Sequence, residues 1–377
     1  MGDTQTNQRF KFIDGLRGIA ALLVVIFHNY QMLTWFKSFK YPFIIDQIIS
    51  QFHLGIAIFF VLSGFVIAYS IRQSLINLKY SQNFFIKRSI RLDPPYWATL
   101  FMIFTVSFIS KQLLLRQGVP VFDFNQIIAN FFYVQYFLGF VPMNPVSWTL
   151  CIELQLYLFF VLILACIFWF KNVTNLDQQT QATQSFFFLF LFMGSLIFSL
   201  EQNYNLFLPQ FMISPLEGLF IPYWYSFLIG VVVCWAMIGW LSRKWLCAYF
   251  LVLFIYAVTS LQNRLIVSLL LGILIDQLNQ RNLLVSWTCS SVFQYLGKIS
   301  YSLYLTHWLF SLKFVNFILE KVGEIGMIKA TLLQIGATSF AIICAHFFYQ
   351  WIEYPCLKWS QKIGKKQLVS QPLTEYP

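Results

Sequence analysis

Charge is what this chain has least of. Only 10% of its 377 residues are Asp, Glu, Lys or Arg, and the acidic ones number 14; a soluble domain carries roughly 25%. So little charge excludes a water-soluble globular protein, because its surface could not be wetted. No Gly-, Ser- or Pro-rich linker and no internal repeat divides the chain. The 7 cysteines are Cys151, Cys166, Cys234, Cys247, Cys289, Cys344 and Cys356. They include no CxxC pair and lie mostly in apolar runs, so they read as small buried hydrophobes, not as a disulfide frame or zinc site. HExxH, GxSxG and Gly-rich phosphate loops are absent, and no metal is expected. No cleavable leader is expected either: residues 1–11 are polar, and the apolar run after them is long enough to span a bilayer. The formal charge of +11 is then a matter of loop placement, and no nucleic-acid partner is expected.

What is present is apolar and aromatic. Hydrophobic residues make up 59% of the chain and aromatics 20%, with 44 Phe. Spans of about 20 mainly apolar residues are expected at 14–36, 52–71, 96–115, 148–170, 186–200, 219–240, 245–260, 263–279, 291–312 and 330–352. The run 126–141, interrupted by Asn130 and Gln135, reads as an interfacial or re-entrant piece. The fold class is thus all-α, a polytopic membrane bundle of about ten transmembrane helices. With the N-terminus inside, Lys and Arg divide 16 inside to 8 outside, which predicts that both termini are cytoplasmic. The expected division is a cytoplasmic segment 1–11, one membrane domain 12–355 and a cytoplasmic tail 356–377. Membrane lipids are the surrounding partner.

Against that background a few ionisable residues need a reason. Asp14, Arg17 and His28 sit in the first span. Arg17 and His28 are eleven residues apart, about three turns with 20° over, so they share one helix face roughly 16 Å apart along the axis. Charge within a span usually faces a wet cavity or bundle interior, although Arg17 lies close enough to the helix end to snorkel. A neutral imidazole in a cavity can take a proton from a hydroxyl, and an arginine suits a phosphate or carboxylate.

Arg88 and Arg91 lie three apart, just before Pro94-Pro95, a pair expected to end one helix and set up the next. They suit a phosphate-rich ligand or simply the anionic lipid surface. Thr149, Glu153 and Tyr157 form a stripe on the fourth span. Ser63-Gly64 on the second is a small patch suited to close helix packing. Ser300, Tyr304 and His307 share a face of the ninth span. His346, Gln350 and Glu353 do so on the tenth, as a helix-end polar network.

These segments taken together resemble acyltransferase family 3, the multispanning membrane O-acyltransferases. Arg17, ten residues and His28 match the R-x10-H signature within Asp14-Gly15-Leu16-Arg17-Gly18-Ile19-Ala20. In the same order come Ser63-Gly64-Phe65, the RxxRxxPPYW of Arg88 to Trp97, the W[ST]LxxExQ of Trp148 to Gln155, the ISYSLYLxH of Ile299 to His307, and the closing WIEYP. Leu154 and Leu156 depart from the commoner Glu and Phe, so only Glu153 carries over there.

The resemblance implies transfer of an acyl group, commonly acetyl, from acyl-CoA to a hydroxyl of a bacterial surface polysaccharide or lipid-linked glycan at the inner (plasma) membrane. His28 would be the catalytic histidine, with Arg17 its partner and Asp14 an aid. Arg88 and Arg91 would bind the donor, acetyl-CoA being the first choice. Ser63, Glu153, Tyr157, Tyr304 and His307 would line the acceptor cavity. Polysaccharide-assembly machinery is the protein partner this implies. The rival reading is a transporter or flippase of a lipid-linked sugar or anion, without chemistry.

Overall fold

One helix, α1 (Lys11–Lys37), runs through the middle of the bundle. It exists because a long apolar run is unbroken by proline, and in lipid a helix satisfies every backbone polar group internally. The structure, a computed structural model, describes residues 10–37, 39–72, 74–112, 120–184, 218–286, 290–322 and 325–368. The span expected at 186–200 and Cys289 lie outside the described residues, as do residues 1–9 and 369–377. Among the described residues there is no strand.

α2 (Phe43–Ser50) and a 3-10 turn lead into α3 (Gly55–Ile71). Then come α4 (Leu78–Gln112), α5 (Phe124–Phe131) and α6 (Trp148–Phe170), with a helix α7 described over 176–184. The second half holds α8 (Trp224–Met237), α9 (Arg243–Ser260), α10 (Asn263–Gln280) and the one-turn α11 (Leu283–Ser286). It ends with α12 (Ser291–Lys298), α13 (Ser300–His307), α14 (Lys313–Leu319), α15 (Met327–Phe348) and α16 (Tyr354–Leu368). Among the described residues, 6 helical stretches are long and apolar enough to cross a membrane. The 126–141 run is not one of them: α5 is short and gives way to turns, with Tyr133 at φ 61°.

Small residues set the closest approaches. A Cβ on Gly64 would stand 2.0 Å from Phe227 O, and one on Gly230 would stand 1.9 Å from Val61 O, so α3 and α8 touch backbone to backbone. Without a hydrophobic force between helices in lipid, such contact is how they hold together. Gly297 meets α1 the same way, its hypothetical Cβ 2.0 Å from Asp14 O. α1 thereby lies between an α3–α8–α10 core and a second group made of α12, α13 and α15. Phe101, Val252 and Ile335 are exposed on the outside, as a lipid-facing surface requires.

Three local expectations change. α4 continues through Pro94 and Pro95 and does not end there. The two prolines leave the carbonyls of Ile90 and Arg91 without helical donors, and neighbouring helices hold this stretch: Tyr301 of α13 donates to Leu92 O at 2.7 Å. The 291–312 stretch breaks at Ile299 and then passes through a π-turn, Trp308–Leu312. A second π-turn, Tyr349–Glu353, ends α15. Cys166 and Cys247, expected to be buried, are exposed on the outer surface, whereas Cys151 and Cys234 are buried.

Candidate active site

Arg17 of α1, Ser63 of α3, Glu153 of α6 and Tyr304 of α13 line one partly open pocket, with about 470 Å³ of empty space counted out into its mouth, and Phe59, Thr149 and Tyr301 complete its wall. Four helices distant in sequence are needed to bring these side chains together. A second partly open pocket, about 280 Å³ counted the same way, is lined by Asp93, Tyr133 and Tyr157 with Leu92 and Leu154; Leu150, Glu153 and Tyr301 are common to both.

Glu153 Oε1 is a junction. It accepts from Ser63 Oγ at 2.8 Å and from Arg88 Nη2 at 3.2 Å, and Tyr157 Oη also donates to it. Arg88 lies with its Cζ 3.9 Å above the Tyr157 ring, so a cation–π contact supports the ion pair. Ser63 therefore does more than pack. Arg91, one turn on, has a different situation. Its Nε, like that of Arg88, is buried with no hydrogen-bond partner among the described residues, and Arg17, Arg88, Glu153 and Glu353 are its charged neighbours. Three guanidinium groups against two carboxylates leave the region electropositive.

Glu353 does not join His346 and Gln350. His346 is 2.6 Å from Tyr295 Oη and 2.8 Å from Gln350 Nε2. Glu353 instead accepts from Ser302 N at 3.1 Å and Ser302 Oγ at 2.5 Å. The π-turn over 349–353 explains the separation: wider turns shift its last residue around the axis, away from where α-helical spacing puts it.

The histidines meet three turns further along α1. His28 Nδ1 is 3.0 Å from His307 Nε2, the two rings meeting edge to edge with centroids 5.1 Å apart and planes 26° apart. Trp308 packs edge-on against His28 at 5.8 Å. Neither histidine is among the residues lining the larger cavity; Tyr304 stands between, lining the cavity with its ring 5.8 Å from that of His307. Thr149 Oγ1 lies 2.7 Å from Tyr304 Oη, whose hydroxyl donates to Val146 O at 3.1 Å. Asp14 sits in the first turn of α1, under Gly297. Tyr133 lies outside the spanning helices and donates to Asp93 at 3.2 Å. Burial, with Tyr301 and Asp93 nearby, pushes its phenol well above the usual value, so it remains a donor at neutral pH. Tyr301 lines both cavities, yet in sequence it is only one hydroxyl in a stripe. The ISYSLYLxH segment is the signal that could single it out.

Fold and site together define a polytopic helical membrane protein in which ionisable side chains from separate helices converge on one pocket. More narrowly, the chain belongs to the acyltransferase family: the sequence model of that family, described as an acyltransferase domain, matches residues 10–350. A Staphylococcus aureus (strain COL) protein carrying a provisional O-acetyltransferase name is 32% identical over 173 residues, 41% of this chain. The equivalent protein of S. aureus strain MSSA476 matches to the same extent. The match spans 24% of the length of each of these relatives. Protein 2 in the picA locus of Rhizobium radiobacter is 30% identical over 122 residues, 32% of this chain and 56% of that protein. No solved structure matches. Among the described residues no group of three or more metal-ligating side chains occurs.

Proposed function

We propose that the chain is an integral membrane O-acyltransferase that moves an acyl group, acetyl first of all, from acyl-CoA to a hydroxyl of a surface polysaccharide or lipid-linked glycan. Its place is the bacterial inner membrane, as one domain over 12–355 with about ten spans and both termini cytoplasmic. Any link to polysaccharide-assembly machinery belongs to this reading.

The observation that carries it is the layout of α1. Arg17 lines the pocket together with Glu153, Arg91 is a charged neighbour of Arg17, and His28 lies about three turns along the same face. Arg91 and Arg17 fit the anionic part of acyl-CoA, since neither is bound into an ion pair among the described residues. Arg88, committed to Glu153 and Tyr157, shapes that end of the cavity. His28 takes the acceptor's hydroxyl proton as the oxygen attacks the acyl carbon. The new C–O bond forms, the thioester C–S bond breaks, and the proton ends on the leaving thiolate. Ser63, Tyr304 and Glu153 bound the space in which the acyl group is carried toward His28.

The test is acetyl transfer and CoA release by the purified chain supplied with labelled acetyl-CoA. His28→Ala is expected to lower kcat about 10²–10⁴-fold, and Arg17→Ala about 10²-fold, in protein inserted at the native level. Native activity in either variant removes the role given to that residue. A native chain that binds glycan but never releases CoA would instead favour transport.

A further inference from the structure

His28 and His307 are joined in a way that decides which nitrogen of His28 is free. His307 Nδ1 lies 2.8 Å from Tyr304 O and 3.3 Å from Leu303 O. Carbonyl oxygens only accept, so this nitrogen carries the proton. In a neutral imidazole the other nitrogen then holds a lone pair, and His307 Nε2 is the atom 3.0 Å from His28 Nδ1. His28 must therefore carry its proton on Nδ1, leaving Nε2 with the lone pair. His307 is fully buried, on a helix bordered by the Ile299 break and the Trp308–Leu312 π-turn. Its ring meets His28 edge to edge and nearly coplanar, and Trp308 also contacts His28 edge-on. Among the described residues no carboxylate is hydrogen-bonded to either ring.

We propose that His307 is a positioning residue that holds His28 in its Nδ1–H form, so that Nε2 is the atom that receives the acceptor's hydroxyl proton. This rests on the acyl-transfer reading and adds a member to the site that touches no substrate. A backbone carbonyl orients His307, and His307 orients His28. The Nδ1–H bond is already in place when Nε2 takes its proton, and it strengthens as His28 becomes an imidazolium. A neutral histidine does here what a buried carboxylate does in many hydrolases, without placing another negative charge in the membrane interior.

The chain has only 4 histidines, so nitrogen NMR of the full-length protein with both ring nitrogens labelled is tractable. His28 signals are assigned by their loss in His28→Gln. In the native chain His28 is expected to show a protonated Nδ1 and a bare Nε2. His28 also hydrogen-bonds the backbone of Val24, one turn back on α1, so His307→Leu, which removes the side-chain acceptor and leaves that backbone one, is expected to lower the Nδ1–H fraction of His28. It should also lower kcat about 10²-fold or more while leaving KM for acetyl-CoA within about 3-fold. His307→Gln supplies an amide oxygen where Nε2 was, and is expected to keep the Nδ1–H form and most of the native kcat. A native His28 found as Nε2–H overturns the proposal, as does a His307→Leu protein with unchanged His28 signals and kcat. If the leucine variant does not fold, the native and glutamine spectra still decide it. A folded native chain that never transfers acetyl removes the acyl-transfer reading instead, and the ring spectra still report whether His307 orients His28.

Discussion

At the scale of single residues, the two arginines of the RxxR segment part company. Arg88 is tied to Glu153 and stacked on Tyr157, whereas Arg91 makes neither contact among the described residues. Arg88→Ala is therefore expected to destabilise, by about 1–3 kcal/mol for an ion pair that is only partly buried, since Glu153 would lose a charged donor. Arg91→Ala should leave stability near native and raise KM for acyl-CoA about 10–100-fold, the size of a lost charge-assisted hydrogen bond. Thermal unfolding in detergent and steady-state kinetics separate the two. An equal KM effect from both variants would show that they act as one clamp. That the two arginines share one helix face was legible from their spacing. Their division of labour was not, because the partner, Glu153, sits on another helix 65 residues away.

At the scale of elements, the packing of α3 on α8 leaves no room for a side chain at Gly64 or Gly230. Gly64→Ala and Gly230→Ala are each expected to cost about 1–3 kcal/mol or more, because the obstacle is backbone carbonyl and cannot rotate away. Gly336, with open space around its Cβ position, serves as the control: Gly336→Ala should be neutral or slightly stabilising in its helix. Melting temperatures of the three variants in one detergent check the contrast. The close-packing role of Ser63-Gly64 was readable from sequence, while its match to Gly230 was not. Nor were the two π-turns, which lack a composition signal: Tyr349–Glu353 separates Glu353 from His346, and Trp308–Leu312 comes directly after His307. The proline pair misled for a related reason. Proline breaks a helix in water, but within a bundle, contacts such as Tyr301 to Leu92 O hold the chain helical through it.

At the scale of the whole molecule, the surface divides by exposure of its thiols. Cys166 and Cys247 are exposed, and Cys151 and Cys234 are buried. A membrane-permeant maleimide should thus label Cys166 and Cys247 in the folded, detergent-solubilised chain. Cys151 and Cys234 should react only after unfolding, as peptide mass mapping would show. Rapid labelling of Cys234 would contradict the tight α8 core, where Trp235 and Val232 are also fully buried.

Composition alone determined that this chain lives in a membrane, because too little charge is available to wet a surface of this size. Helical spacing alone put Arg17 and His28 on one face of α1, since a helix of fixed pitch leaves no other choice. Only the tertiary structure decided which neighbours each polar group meets. Side chains from α1, α3, α4, α6 and α13 converge because glycines let backbones touch and π-turns rotate the next stretch of helix. The bond from His28 to His307 spans 279 residues of sequence; no local pattern encodes it, because it exists only where two helices cross.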